Sequence, residues 1–261
     1  MAGKKSGLVG LLRENGVTCP TIHCIIHQEA LCGKSIKQDQ VFKLVIKIIN
    51  LIRGGNRALL HRLLKQFLQE TEAEYGDLLL YNLVSWLSAE KCMERFFAIR
   101  KDIPTFLNKY VPFDTTELEK KLEDPEFLVQ LAFLTDFANH LNILNSSLQG
   151  KNQTISELLS IINGFRSKLK VFKQTLEDKN LIHFPSYLQL AEEFNEIDFL
   201  SSHSQIQQVI DEFNTRFDEI ESLKSSILLY NNPLGATIEG QPPELQVELC
   251  DMQADMFLTC S

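Results

Sequence analysis

The chain has 261 residues, 44% hydrophobic and 23% charged, so it has the apolar material for one or two buried cores. Eight prolines and twelve glycines are too few for a disordered chain. The most apolar run, 41–49, is too short for a membrane span and carries Lys43 and Lys47.

The net charge of −8 hides an asymmetry. Residues 1–66 hold eleven Lys/Arg against three acids, and the remainder holds fifteen against thirty-one, giving +8 and −16. A basic front on an acidic body fits a polyanion partner, or two halves that attract each other within the molecule. Six scattered cysteines without a signal peptide are expected to be reduced thiols of a nuclear or cytoplasmic protein.

The elements follow in chain order. Residues 6–14 are expected to form a short helix stopped by Asn15-Gly16. Residues 18–27, rich in Thr and Ile, read as a strand. Helices are expected over 38–53, halted by Gly54-Gly55, and over 57–75, halted by Gly76. Residues 77–87 form a link containing the only tryptophan, Trp86. Ser88 then caps a helix running to about Tyr110 with a break at Pro104.

Asp124-Pro125-Glu126 is a helix start, with a cap, a proline in the first turn and an acid near the positive end. Leu134, Phe137, Leu141, Leu144 and Leu148 recur at helical spacing up to Gly150. Thr154 and Glu157 form a capping box. The apolar stripe then resumes from Ile155 to Leu176, and another runs from Ile206 to Ile227. Such stripes oblige the helices to pack on one another. Pro233 and Pro242-Pro243 mark a connector before a short helix from about Glu244.

Chemistry-bearing residues concentrate at 19–33. Cys24 and His27 have C-x2-H spacing, with His23 beside them and Cys19 and Cys32 nearby. Zinc needs three or four converging ligands. On an extended strand His23 and Cys24 point to opposite faces, and the chain offers no second ligand pair, so no metal is expected. Cys24 with His27 lacks a third member for a thiol nucleophile. There is no glycine-rich phosphate loop, G-x-S-x-G or H-E-x-x-H, and no converging carboxylates can be assembled in 1–40, so no cofactor is expected either.

The stretch from Lys4 to Lys34, with blocks at 74–79, 84–88, 95–97, 124–126, 131–136, 148–151, 183–185 and 243–246, resembles hAT-superfamily transposases and their domesticated relatives. Within them it is similar to the general transcription factor II-I repeat domain-containing and zinc finger BED domain-containing group. The resemblance implies a mainly α fold, the helical insertion domain of a hAT transposase, with a remnant of one helix and one strand from a ribonuclease-H-like core. The implied domains are 1–35 for the core remnant, 36–230 for the insertion, and 231–261 for a connector and short helix.

In the family, C-x2-H marks the join of core and insertion, where Cys24 and His27 match. The tryptophan of an Arg-Trp motif holds transposon-end DNA, where Trp86 matches but Ser85 replaces the arginine, removing a phosphate or base contact. The acidic catalytic triad, BED finger and C-terminal dimerisation region fall outside the chain. The implied protein is therefore not an enzyme but a domesticated or truncated derivative acting by protein or DNA binding, with DNA contact through Lys4, Lys5, Arg13, Arg53, Arg57 and Arg62; the alternatives are a helical protein-interaction scaffold without a nucleic-acid role and an inert fragment of a decayed transposon. It has no membrane association and resides in the nucleus, with the cytoplasm as the alternative.

Overall fold

The computed structural model describes residues 7–17, 24–32, 40–54, 58–80, 86–194, 200–221 and 223–255. These residues are helical or irregular, and none of them forms a strand. The helices are α1 (Leu8–Glu14), α2 (Ile25–Cys32), α3 (Gln40–Arg53), α4 (Ala58–Glu70), α5 (Trp86–Ala98), α6 (Asp102–Tyr110) and α7 (Thr116–Glu123). They continue with α8 (Pro125–Leu148), α9 (Ile155–Glu177), α10 (Pro185–Glu193), α11 (Leu200–Glu221) and α12 (Lys224–Asn231), then a 3-10 turn (Pro233–Gly235) and α13 (Pro243–Ala254).

α8 is the axis of the fold. Every residue from Leu131 to Ala138 is buried, on all sides of the helix, because α2, α3, α5, α7, α9, α10 and α11 all pack on it. A helix apolar all round is stable in water only when it is enclosed in this way. α8 is also long and apolar enough by composition to cross a membrane, but 72% of its most apolar stretch is buried inside the protein. Asp124 accepts a hydrogen bond from the Glu126 amide at its start, with Pro125 in the first turn, as expected.

The two later stripes meet face to face. Phe165 of α9 packs on Phe213 of α11 at 5.3 Å between ring centroids, and Phe213 on Phe217 at 5.5 Å. At their edge Arg166 donates twice to Asn214 Oδ1, at 3.1 and 2.8 Å, and this fixes the register of the two helices. Thr154 and Glu157 form the expected capping box.

Several expectations are corrected. The strand over 18–27 fails where it is described: Cys24 is irregular and Ile25–Cys32 is helical, while 18–23 lie outside the described residues. Thr and Ile favour strands, but Ile25, Glu29 and Cys32 recur at 4-3 spacing, and α2 buries that face against α11 and α8. Tertiary packing therefore decides against the β propensity. Ser88 is not a cap, because α5 already begins at Trp86, which the link was expected to contain. The break before Tyr110 falls at residues 99–101, and Pro104 sits in the first turn of α6, where its missing N–H costs nothing. α7 and α10, only eight and nine residues long, were not expected.

α1 closes as expected: Gly16 takes φ +77°, and the amides of Gly16 and Val17 return to Arg13 and Leu12. α4 instead stops at Glu70, well before Gly76. Glu72 adopts φ +53° and the Ala73 amide bonds the Leu68 carbonyl, so a glutamate does the work of the usual glycine. Glu72→Gly is therefore expected to stabilise the chain by roughly 0.5–1 kcal/mol, read as a rise in the denaturation midpoint. A loss of stability would show that the side chain contributes more than the strain costs.

Candidate functional site

The Cys/His segment is divided by its own helix. Cys24 precedes α2 and is exposed, and His27 is exposed in the first turn. Cys32, five residues beyond His27 and hence about 140° round the helix, is buried against the body. These two side chains point apart and cannot share an ion. His23 and Cys19 lie outside the described residues. No group of three or more His, Cys, Asp or Glu side chains converges among the described residues.

Burial pushes the Cys32 thiol up to about 12, against the pull of Arg216 and with help from Glu212 and Glu29. Burial likewise raises Cys92 to about 11, and its Sγ donates to the Leu79 carbonyl at 3.2 Å. A thiol that stays protonated is neither a nucleophile nor a metal ligand at neutral pH.

The basic front is partly consumed inside the molecule. Arg53, at the end of α3, donates to the Leu78 carbonyl and faces Asp77 Oδ2 at 3.5 Å. His61 and Lys65 of α4 reach the same carboxylate at 2.8 and 3.4 Å. One acid just outside the basic stretch thus joins α3, α4 and the segment leading to α5. Arg13 on α1 and Arg62 on α4 remain exposed. Lys4, Lys5, Arg57 and Ser85 lie outside the described residues, as does the side chain of Trp86.

The sequence pattern missed the polar groups that organise the core. Asp136, buried on α8, accepts from the Ser186 amide on Oδ1 and the Tyr187 amide on Oδ2, both at 3.0 Å. It thereby caps α10 from a neighbouring helix. Next to it Phe133 stacks on Phe184 at 5.7 Å, and His140 donates from Nε2 to the His183 carbonyl at 2.8 Å. His140 also stacks on Phe172 at 4.3 Å, and burial lowers its pKa, which favours the neutral ring. The sequence blocks 131–136 and 183–185 are therefore the two halves of one packing unit. An aspartate within a long apolar helix was the available signal, since a buried carboxylate requires donors.

Arg100 is the second such group. Its side chain is 3% exposed, lies over the Phe97 ring at 4.1 Å, and donates to the Phe97 carbonyl and to Glu193 Oε1 at 2.9 and 2.6 Å. Lys101 reaches the same Glu193 oxygen at 3.0 Å. This network ties the α5–α6 corner to the end of α10.

Among the described residues, two clefts in the surface stand out. One of about 280 Å³ lies beside Arg100, Lys101 and Glu193, walled by Leu122, Leu128 and Phe194. The other, of about 240 Å³, runs between α8 and α9, floored by Leu144 and Phe165 and edged by Ile143, Gly164 and Lys168. Neither gathers the acid, base and nucleophile that a hydrolytic or transfer reaction needs.

The FAM200/GTF2IRD2 helical domain matches residues 23–177, from the start of α2 to the end of α9. The chain belongs to this family. Over 267 aligned residues it is 31% identical to general transcription factor II-I repeat domain-containing protein 2 from Mus musculus, and equally so to that from Bos taurus. Each alignment covers 99% of this chain but only 27% of the relative, so the chain spans about a quarter of the curated relatives' length. No solved structure matches. The family's helical domain thus holds the α8 axis, the Asp77 cluster and Asp136, while α10, whose Ser186 and Tyr187 amides donate to Asp136, lies beyond the matched segment.

Proposed function

We propose that this member of the FAM200/GTF2IRD2 helical-domain family is a domesticated, non-catalytic hAT transposase derivative that works in the nucleus by binding proteins. Family membership carries the reading, since the matched relatives are named as general transcription factor repeat proteins. In this reading residues 36–230 correspond to the insertion domain of a transposase, and residues before 36 to the edge of its ribonuclease-H-like core. The side chains support it: the buried carboxylate Asp136 is occupied in capping a helix, and the buried thiols Cys32 and Cys92 stay protonated. A magnesium-dependent cleavage assay on transposon-end DNA is expected to give no product. Proximity labelling from the full chain in cells is expected to enrich nuclear proteins. Chelator-sensitive cleavage, or labelling confined to the cytoplasm, would overturn the respective part.

Exposed Arg13 and Arg62 favour a second reading, contact with duplex DNA. With Arg53 and Lys65 engaged by Asp77, the salt dependence is expected to be shallow if Arg13 and Arg62 alone meet the phosphates. Titration between 50 and 200 mM salt is expected to change affinity by less than about tenfold if only one or two phosphates are neutralised. A loss of about a thousandfold or more would point instead to an extended DNA-binding surface.

A further inference from the structure

The groove between α8 and α9 has properties of a receptor for a helix. Its floor, Leu144 and Phe165, is apolar, and the rim residue Ile143 is 50% exposed. Val171, two turns beyond Gly164 on α9, is also 50% exposed. A Cβ built on Gly164 would meet nothing within 4 Å, so the rim is notched at that point. Lys168, one turn along, is exposed beside the notch and has no ion-pair partner among the described residues.

The same chain carries a helix with the matching chemistry. Among the larger helix contacts, α13 packs only on the 3-10 turn at Pro233–Gly235, towards which Leu249 is buried. Val247 lies about 160° round the helix from Leu249 and is 70% exposed. Cys250 and Ala254, both exposed, continue its line at i+3 and i+7, the spacing by which a helix is read in a groove. Glu244, Glu248 and Asp251 run along one edge of this strip, none with an ion-pair partner among the described residues. Residues 232–255 hold five acids and no Lys or Arg. α13 therefore presents a narrow apolar strip with an acidic border, and the groove presents an apolar notch with a cationic border.

We infer that α13 of one copy docks in the α8–α9 groove of a second copy, with Val247 entering the notch at Gly164 and the acidic edge lying along Lys168. Small residues at Gly164, Cys250 and Ala254 let the two backbones approach closely, and the charges select the orientation. The inference deepens the protein-binding reading by naming one partner. If self-association fails, binding to other nuclear proteins is still measured separately by proximity labelling.

Sedimentation of the full chain at low salt is expected to show concentration-dependent association, as a closed pair or an open series, that weakens as salt rises. Gly164→Leu places its Cβ where nothing of its own chain lies within 4 Å, so it should keep the helical circular dichroism while reducing association at least tenfold. Lys168→Glu, at an exposed position that any fold tolerates, should reduce it as well. Mixing Lys168→Glu with Glu248→Lys should restore association between unlike copies, because both grooves in a mixed pair face a helix of opposite charge while pairs of like copies repel. Ser147→Cys, at the groove wall, should form an intermolecular disulfide with the native Cys250 under mild oxidation, abolished by Cys250→Ser. A chain monomeric up to about 100 µM, association unaffected by both Gly164→Leu and Lys168→Glu, or a cross-link formed only within one chain would each overturn the inference.

Discussion

Asp136→Ala is expected to destabilise the chain by roughly 2–4 kcal/mol, among the larger effects of any single polar substitution. The side chain leaves behind two amides, Ser186 and Tyr187, each bonded to it at 3.0 Å and screened from water by α8 and the aromatic cluster. A lost cap alone costs about 1 kcal/mol, and an unsatisfied buried donor about 1–3 more. Because α10 packs on α8 through this contact, exchange of the α10 amides should accelerate before the rest of the core. Equal protection of α10 in the variant and the parent would show that Phe184 and Tyr187 alone hold the helix.

The same carboxyl has an unusual pH signature. Burial raises its pKa from 3.8 to about 6, with the hydrogen bonds from Ser186 and Tyr187 opposing the shift. A group whose folded pKa lies above its unfolded value contributes stability that is complete below the unfolded value and is lost as pH rises through the folded one. Between about pH 3.8 and 6 this site therefore works against acid denaturation, by about 3 kcal/mol in total at 1.36 kcal/mol per pKa unit. Asp136→Asn keeps one acceptor and removes the charge. Its stability relative to the parent is expected to fall as the pH is lowered from 7 to 4, measured by denaturant titration at each pH. A pH-independent difference would mean that the carboxyl is solvated in the folded state.

Removing Glu193 is the second large effect. Glu193→Ala leaves the Arg100 guanidinium, 3% exposed, with only the Phe97 carbonyl and ring as partners among the described residues. Breaking a buried pair by deleting one member costs about 3–5 kcal/mol, because the remaining charge stays desolvated. Glu193 is itself 25% exposed and water can partly replace it, so the lower end of that range is expected. The double variant Arg100→Met, Glu193→Leu should recover most of the loss, since an apolar pair of similar volume avoids the desolvation. If the double variant is as unstable as Glu193→Ala, the loss comes from packing rather than from the uncompensated charge. For Glu193, burial favours the neutral form but Lys101 and Arg100 outweigh it and depress the pKa. Its contribution is therefore present above the ordinary glutamate range and is lost as the pH falls through the depressed value, opposite in sign to Asp136.

The long helices were legible because each carries an explicit start signal and a sustained period. Asp124-Pro125 opens α8, and Thr154 with Glu157 opens α9. Stops were legible only where glycine makes them: Gly16 closes α1 as expected, whereas Glu72 closes α4 in the same left-handed conformation and carries no composition signal. α2 was misread because a short run rich in Thr and Ile fits a strand by propensity, and only its burial against α11 and α8 shows the helical period. Of the candidate site residues, the chain's order gave the identities but not the exposures. Arg53 and Arg62 are equivalent letters in a basic segment, yet Asp77 engages one and leaves the other in water.

The sequence by itself determined a mainly helical chain with apolar faces that must be mutually buried, a basic front and an acidic remainder, since period and charge are properties of local order. Only the tertiary structure decided that α8 is enclosed on every side over Leu131–Ala138, that Asp136 caps a helix fifty residues away, and that the Cys/His segment is split between an exposed and a buried face. Those outcomes depend on which surfaces meet across long stretches of chain. The free energy of a buried polar group is set by the partner it finds there, which one-dimensional spacing does not encode.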